Sequence, residues 1–304
     1  MTTKAETTWT GAFLDLPAEL ADPATARFAV LPVPYDATST WRKGADRGPA
    51  AMIEASGAVE WYDIETGVEA CQAGIVTAPA LPVGALSPEA MSDQVEEQVA
   101  EVLRAGRIPV VLGGEHSVSI GAIRAAARAA EGRLGVLQFD AHADTRESYQ
   151  GSACNHACIM ARAREVADVV QVGIRAIDQE ELAGLDLERV FWAHEVMQAP
   201  DRSWMDRAVA LLPEEVYITV DLDGFDPSLV PATGTPEPGG LDWYTVNELC
   251  RRVLASGRKL IGFDVNELLP QEGQHASDFL AAKLVYRIMS MQVASTSGAR
   301  SADS

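Results

Sequence analysis

Acidic and imidazole side chains gather at four places in the sequence, each directly after a short apolar run. The four segments are Gly113-Gly114-Glu115-His116-Ser117, Asp140-Ala141-His142-Ala143-Asp144, Asp221-Leu222-Asp223-Gly224-Phe225-Asp226-Pro227 and Asp264-Val265-Asn266-Glu267. In open α/β sheets ligands bind beyond the carboxyl ends of the strands, so polar residues at these positions are candidates for a functional site. Carboxylates and imidazoles together are suited to binding divalent cations.

The spacing within two of these segments places the polar groups on one side of an extended chain. Because side chains alternate with a period of two, Asp140, His142 and Asp144 can project together, and so can Asp221 and Asp223. Carboxylates gathered in this way repel one another unless a positive charge lies among them. A pair of divalent cations would remove this repulsion. The ligand types favour manganese, iron, cobalt, nickel or zinc over copper(I) or an iron–sulfur cluster, without choosing among them.

Each segment also has an ordinary structural interpretation. An Asp-x-His-x-Asp segment is often only a loop, and Asp-x-Asp-x-x-Asp-Pro is commonly a turn with an Asx cap. The Gly-Gly-Glu-His turn can be a strand-to-helix connection with Ser117 as the N-cap. Three such clusters at the strand ends of one sheet make a structural coincidence improbable, so the combined pattern predicts a metal site.

Composition and charge narrow the classes of partner. The 304 residues are 47% hydrophobic and 22% charged, which is typical of a soluble globular protein, and their formal net charge is −20. Nucleic acid and anionic membranes are disfavoured as partners, whereas a small cationic substrate is weakly favoured. The absence of an apolar run near the ~18 residues of a membrane span, and of a signal-peptide core over Met1 to Pro17, predicts a cytoplasmic location.

The four cysteines form no recognisable disulfide framework and are expected to be free thiols. Cys154 and Cys158 flank His156, but a Cys-x-His-x-Cys zinc site would lack its fourth ligand. We interpret Cys158 as a small buried hydrophobic residue and Cys154 as a loop thiol. His194 and His275 have no acidic strand ends beside them and are interpreted as surface or packing residues.

Apolar runs alternate with helical patterns along the chain. Strands are expected at 28–33, 108–112, 134–140, 169–173, 190–192, 216–221 and 260–264. Helices are expected at 49–56, 88–105, 120–130, 157–166, 206–212, 246–255 and 276–289. This order predicts a three-layer α/β/α sandwich with a central, mainly parallel sheet of about eight strands. A single domain is expected over residues 11–292, with a disordered N-terminus at 1–10 and a disordered tail at 293–304.

The metal-binding segments together resemble the three metal signatures of the ureohydrolases, the arginase and agmatinase superfamily. The segment Ala232-Thr233-Gly234-Thr235-Pro236-Glu237-Pro238-Gly239-Gly240-Leu241 is a further match and is more similar to agmatinases than to arginases. The resemblance covers about Val30 to Met289. It implies the arginase-like fold, a homotrimer or homohexamer, and an enzyme that hydrolyses a guanidino compound to urea and an amine.

The resemblance also implies a binuclear metal site, with manganese expected and nickel or another divalent ion as alternatives. One ion would be held by His116, Asp140, Asp144 and Asp221, and the other by Asp140, His142, Asp221 and Asp223, so that Asp140 and Asp221 bridge. Cations at such a site lower the pKa of water, toward roughly 7 for a single zinc ion. This would supply the nucleophile that a resonance-stabilised guanidinium carbon requires.

Other roles follow from the same resemblance. Glu267 falls where the family holds the substrate guanidinium, and His156 falls where many members have a proton-shuttling histidine. Asp144 is expected to relay a proton to the leaving amine. Glu115 stands where arginases usually have Asp, and because the family does not use this position as a ligand, little consequence is expected.

The substrate is predicted from Arg146 and Asp178. Arg146 stands where arginases have Asn, and it either binds the carboxylate of a guanidino acid or pairs with an acid such as Glu147 or with another subunit; the pairing is favoured. Asp178 lies where arginases place an amine-binding aspartate, and we expect it to meet the ammonium group of agmatine. Hydrolysis of agmatine to putrescine, a step of polyamine metabolism, is therefore predicted. The alternatives are a guanidinobutyrase, an arginase, a hydrolase of guanidine or another guanidino acid, and a non-catalytic relative.

Overall fold

Parallel strands joined by helices form the centre of the computed structural model, which describes residues 11–297. The strands within this range are β1 (Phe28–Val33), β2 (Tyr62–Asp63), β3 (Val68–Glu69), β4 (Ile75–Thr77), β5 (Ile108–Gly113), β6 (Leu134–Phe139), β7 (Ala167–Ile174), β8 (Val190–Trp192), β9 (Glu215–Asp221) and β10 (Lys259–Asn266). The α-helices are α1 (Gly48–Ser56), α2 (Pro88–Arg104), α3 (Ser119–Ala129), α4 (Ile159–Val166), α5 (Gln179–Leu182), α6 (Ala193–Gln198), α7 (Ser203–Ala210), α8 (Trp243–Ala255) and α9 (Ala276–Ser297).

Eight of the strands form one sheet, in the order β4-β1-β5-β10-β9-β6-β7-β8. Every pairing in this sheet is parallel. Strands β2 and β3 form a separate antiparallel hairpin. The four central strands β5, β10, β9 and β6 are not consecutive in sequence, so the chain crosses over repeatedly to place their carboxyl ends side by side.

Helices cover both faces of the sheet. Helices α2, α3 and α4 pack against one another on one face, and α1, α9, α8 and α7 pack in that order on the other. Strands β1, β6 and β9 are buried along their whole length, which explains why they appear as continuous apolar runs in the sequence. The predicted three-layer sandwich is confirmed, and its sheet has eight strands.

Helix α2 shows how the local sequence fixes an element. Its N-cap is Ser87, whose hydroxyl accepts a hydrogen bond from the backbone N–H of Ala90 at 3.2 Å, and Pro88 occupies the first helical position. Gly106 follows the helix with a φ of 73°, a conformation that glycine adopts without strain.

The structure also corrects several predictions. Strand β4, the β2–β3 hairpin and the short helices α5 and α6 were not predicted, because two to six residues carry too little periodicity to identify. Helix α9 continues to Ser297, so the disordered tail predicted from residue 293 is wrong over 293–297. The helix is buried around Met291, and this packing outweighs the weak propensity of its last residues. The disorder predicted at 1–10 and 298–304 lies outside the described residues. Among residues 11–297, no helix combines the length and apolarity needed to cross a membrane.

Candidate active site

The carboxyl ends of the four central strands bring the predicted metal ligands together. Strand β5 leads into a 3-10 turn that begins at His116, and β6 ends just before Asp140. Strand β9 ends at Asp221, and Glu267 directly follows β10. Neighbouring parallel strands end at one edge of the sheet, so these side chains meet although up to 151 residues separate them.

Two glycines allow the turns to approach each other closely. A Cβ atom at Gly114 would lie 2.0 Å from the carbonyl oxygen of Tyr35, which accepts a hydrogen bond from the backbone of Glu115 at 2.8 Å. A Cβ atom at Gly224 would lie 2.8 Å from the backbone nitrogen of Asp140. Larger residues at these positions would push the ligand-bearing turns apart.

The first group of candidate ligands surrounds the Nδ1 atom of His116. This atom lies 3.1 Å from Oδ2 of Asp140, 3.4 Å from Oδ2 of Asp144 and 3.3 Å from Oδ2 of Asp221. All four side chains are buried. His116, Asp140 and Asp221 each offer an atom within 4.8 Å of the others, which is compatible with a shared cation.

Hydrogen bonding on the other side of the ring determines the tautomer of His116. Its Nε2 atom lies 2.8 Å from the hydroxyl oxygen of Thr219, and that hydroxyl donates to Oδ1 of Asp264 at 2.6 Å. Because the only hydroxyl hydrogen of Thr219 is directed to Asp264, Nε2 of His116 must donate. In the neutral ring, the form that can bind a cation, Nδ1 therefore carries the lone pair that faces the carboxylates.

The second group lies beside the first and shares Asp140 with it. Nδ1 of His142 is 3.0 Å from Oδ2 of Asp223 and 3.7 Å from Oδ1 of Asp140. The backbone of Ala141 donates to Oδ1 of Asp223 at 3.1 Å, and the hydroxyl of Thr235 donates to Oδ2 at 3.2 Å. These bonds orient the carboxylate of Asp223 toward the imidazole.

The donor set fits a pair of divalent cations. Nδ1 of His116 is buried without a hydrogen-bond partner although three carboxylates face it. A lone pair and anionic oxygens at this separation repel each other unless a positive charge lies between them. Five of the six predicted ligands form the two candidate groups, and the sixth, Asp144, lies 3.4 Å from Nδ1 of His116; the five are His116, Asp140, His142, Asp221 and Asp223.

Burial and neighbouring charges strongly shift the pKa values of these side chains in the protein without bound cations. Burial lowers the pKa of His116, but its three carboxylate neighbours outweigh burial and raise this pKa well above its usual value. Burial and the charge of Asp140 raise the pKa of Asp144 to about 7. Burial, followed by the charges of Asp223 and Asp140, raises the pKa of Asp221 well above its usual value. Such perturbation is typical of functional sites.

Two predicted catalytic carboxylates occupy strained backbone positions. Asp144 has a φ of 53° and Glu267 a φ of 65°, in the left-handed region that non-glycine residues seldom adopt. Oε1 of Glu267 accepts a hydrogen bond from the backbone of His116 at 2.7 Å. Burial and the charge of Glu115 raise the pKa of Glu267 well above its usual value. Strain of this kind, at about 1–3 kcal/mol per residue, clusters at functional sites.

A cavity of about 340 Å³ lies over both groups. Every predicted site residue contributes to its wall except Asp140, which is fully buried beneath it. Trp41 and Arg42 also line the cavity, and the Trp41 side chain is 64% exposed. The guanidinium of Arg42 lies 4.8 Å from the Trp41 ring centroid.

The outer wall of the cavity pairs Arg146 with two acids. Its guanidinium lies 3.3 Å from Asp178 and 3.4 Å from Glu181, and it stacks 4.5 Å from the ring centroid of Tyr149. Pairing with an acid agrees with the interpretation favoured from the sequence, but the suggested partner Glu147 was wrong. Glu147 pairs with Arg162 instead.

His156 lines the cavity from a 3-10 turn that precedes α4. Its Nδ1 is 3.1 Å from the hydroxyl oxygen of Thr38. Its ring packs edge-on against the ring of Tyr149, with 6.2 Å between the two ring centroids. Burial, followed by the charges of His142 and His116, lowers the pKa of His156 to about 4. The His156 imidazole is therefore uncharged at neutral pH.

The remaining cysteines and histidines match their ordinary interpretations. All four cysteines are free and buried, and burial raises the pKa of Cys158 to about 11, so this thiol is unreactive. Cys154 and Cys158 belong to neither candidate metal group in the described part of the chain. His194 is exposed, and His275 lies 3.1 Å from Asp278 at the surface.

Sequence reasoning missed several residues that support the site. Glu115, for which little consequence was expected, is fully buried and accepts hydrogen bonds from Thr38 and its neighbours. The guanidinium of Arg175 donates to the backbone oxygens of Asp223 and Glu237, which links these two loops. One available signal was a polar residue inside an apolar run, such as Thr219 in β9.

Comparisons with known proteins identify the family of this chain. The model of the arginase family matches residues 26–291. The chain is 41% identical to the N(1)-aminopropylagmatine ureohydrolase of Synechocystis sp., over 88% of this chain and 89% of that protein. It is 34% identical to the agmatinase of Pyrococcus horikoshii, over 91% and 96% of the two chains. The crystal structure of the agmatine ureohydrolase of Thermoplasma volcanium superposes with a TM-score of 0.83 at 31% identity, covering 92% and 94%. The chain therefore belongs to the arginase family and is a ureohydrolase, an enzyme that hydrolyses guanidino carbon–nitrogen bonds.

Proposed function

We propose that this ureohydrolase uses two divalent ions, manganese being expected, to hydrolyse agmatine to urea and putrescine. The observation that carries the proposal is the buried, unpartnered Nδ1 of His116 among three carboxylates, at the floor of a cavity that Glu267 also lines. Divalent cations held by the six His and Asp ligands would supply Lewis-acid chemistry, lowering the pKa of water so that a nucleophile is available at neutral pH.

Glu267 is suited to holding the guanidinium. One of its oxygens is fixed by the backbone of His116 at 2.7 Å, and the carboxylate lines the cavity. A fixed carboxylate can pair with the planar, forked arrangement of guanidinium donors. The guanidinium carbon would then be held close to the metal ligands, which reduces the entropy lost in reaching the transition state.

Proton movements are assigned to Asp144 and His156. A carboxyl group with a pKa of about 7 in the protein alone is balanced between accepting and donating a proton, and Asp144 would pass one to the leaving amine. His156, which is neutral and lines the cavity, would accept a proton and return it to solvent. Both groups lie in the wall of the same cavity, so neither needs a rearrangement of the fold.

The outer wall supports a substrate with a cationic tail. Asp178 and Glu181 carry two negative charges there, and Arg146 balances one of them. The side chain of Asp178 is 49% exposed and remains accessible to an ammonium group. At this wall a substrate carboxylate would lie beside these acids, and Arg146, the cation next to them, is already paired, so arginine and 4-guanidinobutyrate are expected to be poor substrates.

A second candidate substrate is N(1)-aminopropylagmatine, which carries an additional cationic amine. The name of the Synechocystis relative, at 41% identity, favours it. Trp41 and Arg42 line the cavity and are both exposed, so a longer tail could extend toward them. The structure-based argument for a cationic tail applies equally to both substrates.

Urea release from a substrate panel tests the proposal. Protein reconstituted with manganese would be assayed for kcat/KM on agmatine, N(1)-aminopropylagmatine, 4-guanidinobutyrate, arginine and guanidine. We expect the two cationic substrates to exceed the two carboxylate-bearing ones by at least about 10-fold, or roughly 1.4 kcal/mol. A preference for 4-guanidinobutyrate that disappears in Arg146→Ala would overturn the assignment and make Arg146 a carboxylate anchor.

We also propose a homotrimer or homohexamer, as expected from the family resemblance. The net charge of −20 supports a small cation, rather than nucleic acid or an anionic membrane, as the partner of this protein. Light scattering of the metal-loaded protein measures the oligomeric state, and a monomer would contradict the proposed trimer or hexamer.

A further inference from the structure

Glu115 is a buried carboxylate that accepts five hydrogen bonds beside the cavity. Its Oε1 atom accepts from the hydroxyls of Thr38 and Ser117, both at 2.6 Å. Its Oε2 atom accepts from the backbone N–H groups of Thr38 and Ser39, both at 2.7 Å, and from the hydroxyl of Ser39 at 3.2 Å. Five donors converge on this side chain, so it acts only as an acceptor.

The bond from Thr38 to Glu115 constrains the neighbouring His156. A threonine hydroxyl has a single hydrogen, and in Thr38 this hydrogen is directed to Oε1 of Glu115. The Thr38 oxygen can then only accept further hydrogen bonds. It accepts from the backbone N–H of His156 at 3.0 Å, and it lies 3.1 Å from Nδ1 of the same residue. Nδ1 must therefore be the protonated nitrogen of the ring.

We propose that Glu115 is a positioning residue that sets the tautomer of His156 through Thr38. With the hydrogen held on Nδ1, the lone pair resides on Nε2, and His156 is ready to accept a proton in the cavity that it lines. The inference about the tautomer stands on geometry alone. Its consequence for turnover rests on the proposed function, because it requires His156 to carry protons during hydrolysis.

The same network positions part of the cavity wall. Glu115 precedes His116, and its bonds to Thr38 and Ser39 tie the turn after β5 to the loop that carries Trp41 and Arg42. An aspartate at position 115 would be one methylene shorter and would draw the carboxylate away from the backbone donors of this loop. The need to reach both partners therefore explains why position 115 carries glutamate and not aspartate.

The variant Glu115→Gln is expected to invert the tautomer. The two backbone donors of Thr38 and Ser39 cannot rotate away, so the amide oxygen of the glutamine must face them and its NH2 group must face the Thr38 hydroxyl. Thr38 would then accept from this NH2 group and from the backbone of His156. Its own hydrogen would be free to donate to Nδ1 of His156, and the ring hydrogen would move to Nε2.

Solid-state NMR of protein labelled with ¹⁵N-histidine tests this directly. The holoprotein would be loaded with zinc, which is diamagnetic, and His156→Ala would identify the two ring-nitrogen signals of His156 by their loss. We expect a protonated Nδ1 and an unprotonated Nε2 in the wild type, with the two exchanged in Glu115→Gln. An Nε2-protonated wild type, or an unchanged tautomer in Glu115→Gln, would overturn the proposal.

Thr38→Val and Thr38→Ser form a matched pair if Glu115→Gln fails to fold. Valine removes the hydroxyl at nearly constant volume, whereas serine retains it. On manganese-loaded protein we expect valine to lower kcat about 10- to 100-fold, as is usual for loss of a partner that orients a functional histidine, with little change in KM. Serine should restore most of kcat, and Thr38→Val should add little to the loss in His156→Ala. Equal losses in valine and serine variants would contradict the proposal.

The NMR tautomer and the rate of hydrolysis separate this inference from the proposed function. If the wild type hydrolyses no guanidino substrate, the proposed function fails, yet the NMR tautomer still tests the relay. If the wild type is active and the tautomer is opposite to that expected, only the inference about Glu115 fails.

Discussion

Replacing Glu267 by Gln removes one charge from the floor of the cavity while preserving shape. Oε1 of Glu267 accepts a hydrogen bond from the backbone N–H of His116 at 2.7 Å, and this donor is fixed by the turn after β5. The amide oxygen of Gln must therefore take the place of Oε1, because the NH2 group would meet a second donor there. The NH2 group then replaces Oε2, the oxygen that we propose holds the guanidinium.

The expected loss follows from the hydrogen bonds that the substrate would make. A guanidinium loses one charge-assisted hydrogen bond, which is worth about 1.5–3 kcal/mol. Its N–H group also meets the N–H group of the glutamine, and leaving these two donors unsatisfied costs about 1–3 kcal/mol. The sum is about 2.5–6 kcal/mol, which corresponds to a fall in kcat/KM of roughly 70- to 25,000-fold. Neither candidate metal group includes Glu267, so metal content should not change.

The assay compares Glu267→Gln with Glu272→Gln, an exposed glutamate five residues away that lines no part of the cavity. Urea release from agmatine, metal content by elemental analysis and the melting temperature would be measured for both variants. We expect a severe loss of activity only in Glu267→Gln, with two ions and a similar Tm in each. Activity within about threefold of the wild type in Glu267→Gln, a difference of roughly 0.6 kcal/mol, would show that the guanidinium is held by another group.

Three further predictions concern the metal site and the outer wall. Reconstituted wild type should contain two divalent ions per chain, and His116→Ala and Asp223→Ala should each lose one ion preferentially; a content near zero in the wild type would remove the metal assignment. Thr219→Val should weaken metal binding by about 10- to 100-fold in a chelator competition, because the tautomer of His116 is no longer fixed; unchanged affinity would refute the role of Thr219. Arg146→Ala should leave its two acidic partners uncompensated and increase the kcat/KM ratio of agmatine to 4-guanidinobutyrate, whereas a decrease in this ratio would identify Arg146 as a substrate anchor.

The sequence determined the composition of each strand end. The alternation in Asp140-Ala141-His142 indicates which side chains share a side, because the period of an extended chain is two residues, whereas Asp144, with a φ of 53°, lies outside that pattern. The apolar runs of β1, β5, β6, β9 and β10 were also identifiable, because strands buried on both faces are continuously apolar. Residues that act within one segment were therefore predictable from the sequence.

The tertiary structure decided which segments meet. The order β5-β10-β9-β6 brings His116, Glu267, Asp221 and Asp140 together, and no local pattern specifies that order because crossover helices can connect strands at any separation. The relay from Glu115 through Thr38 joins a strand-end turn to a loop 77 residues away. Its polar members resemble ordinary turn residues in sequence, and only the packing of β1 beside β5 gives each of them a partner.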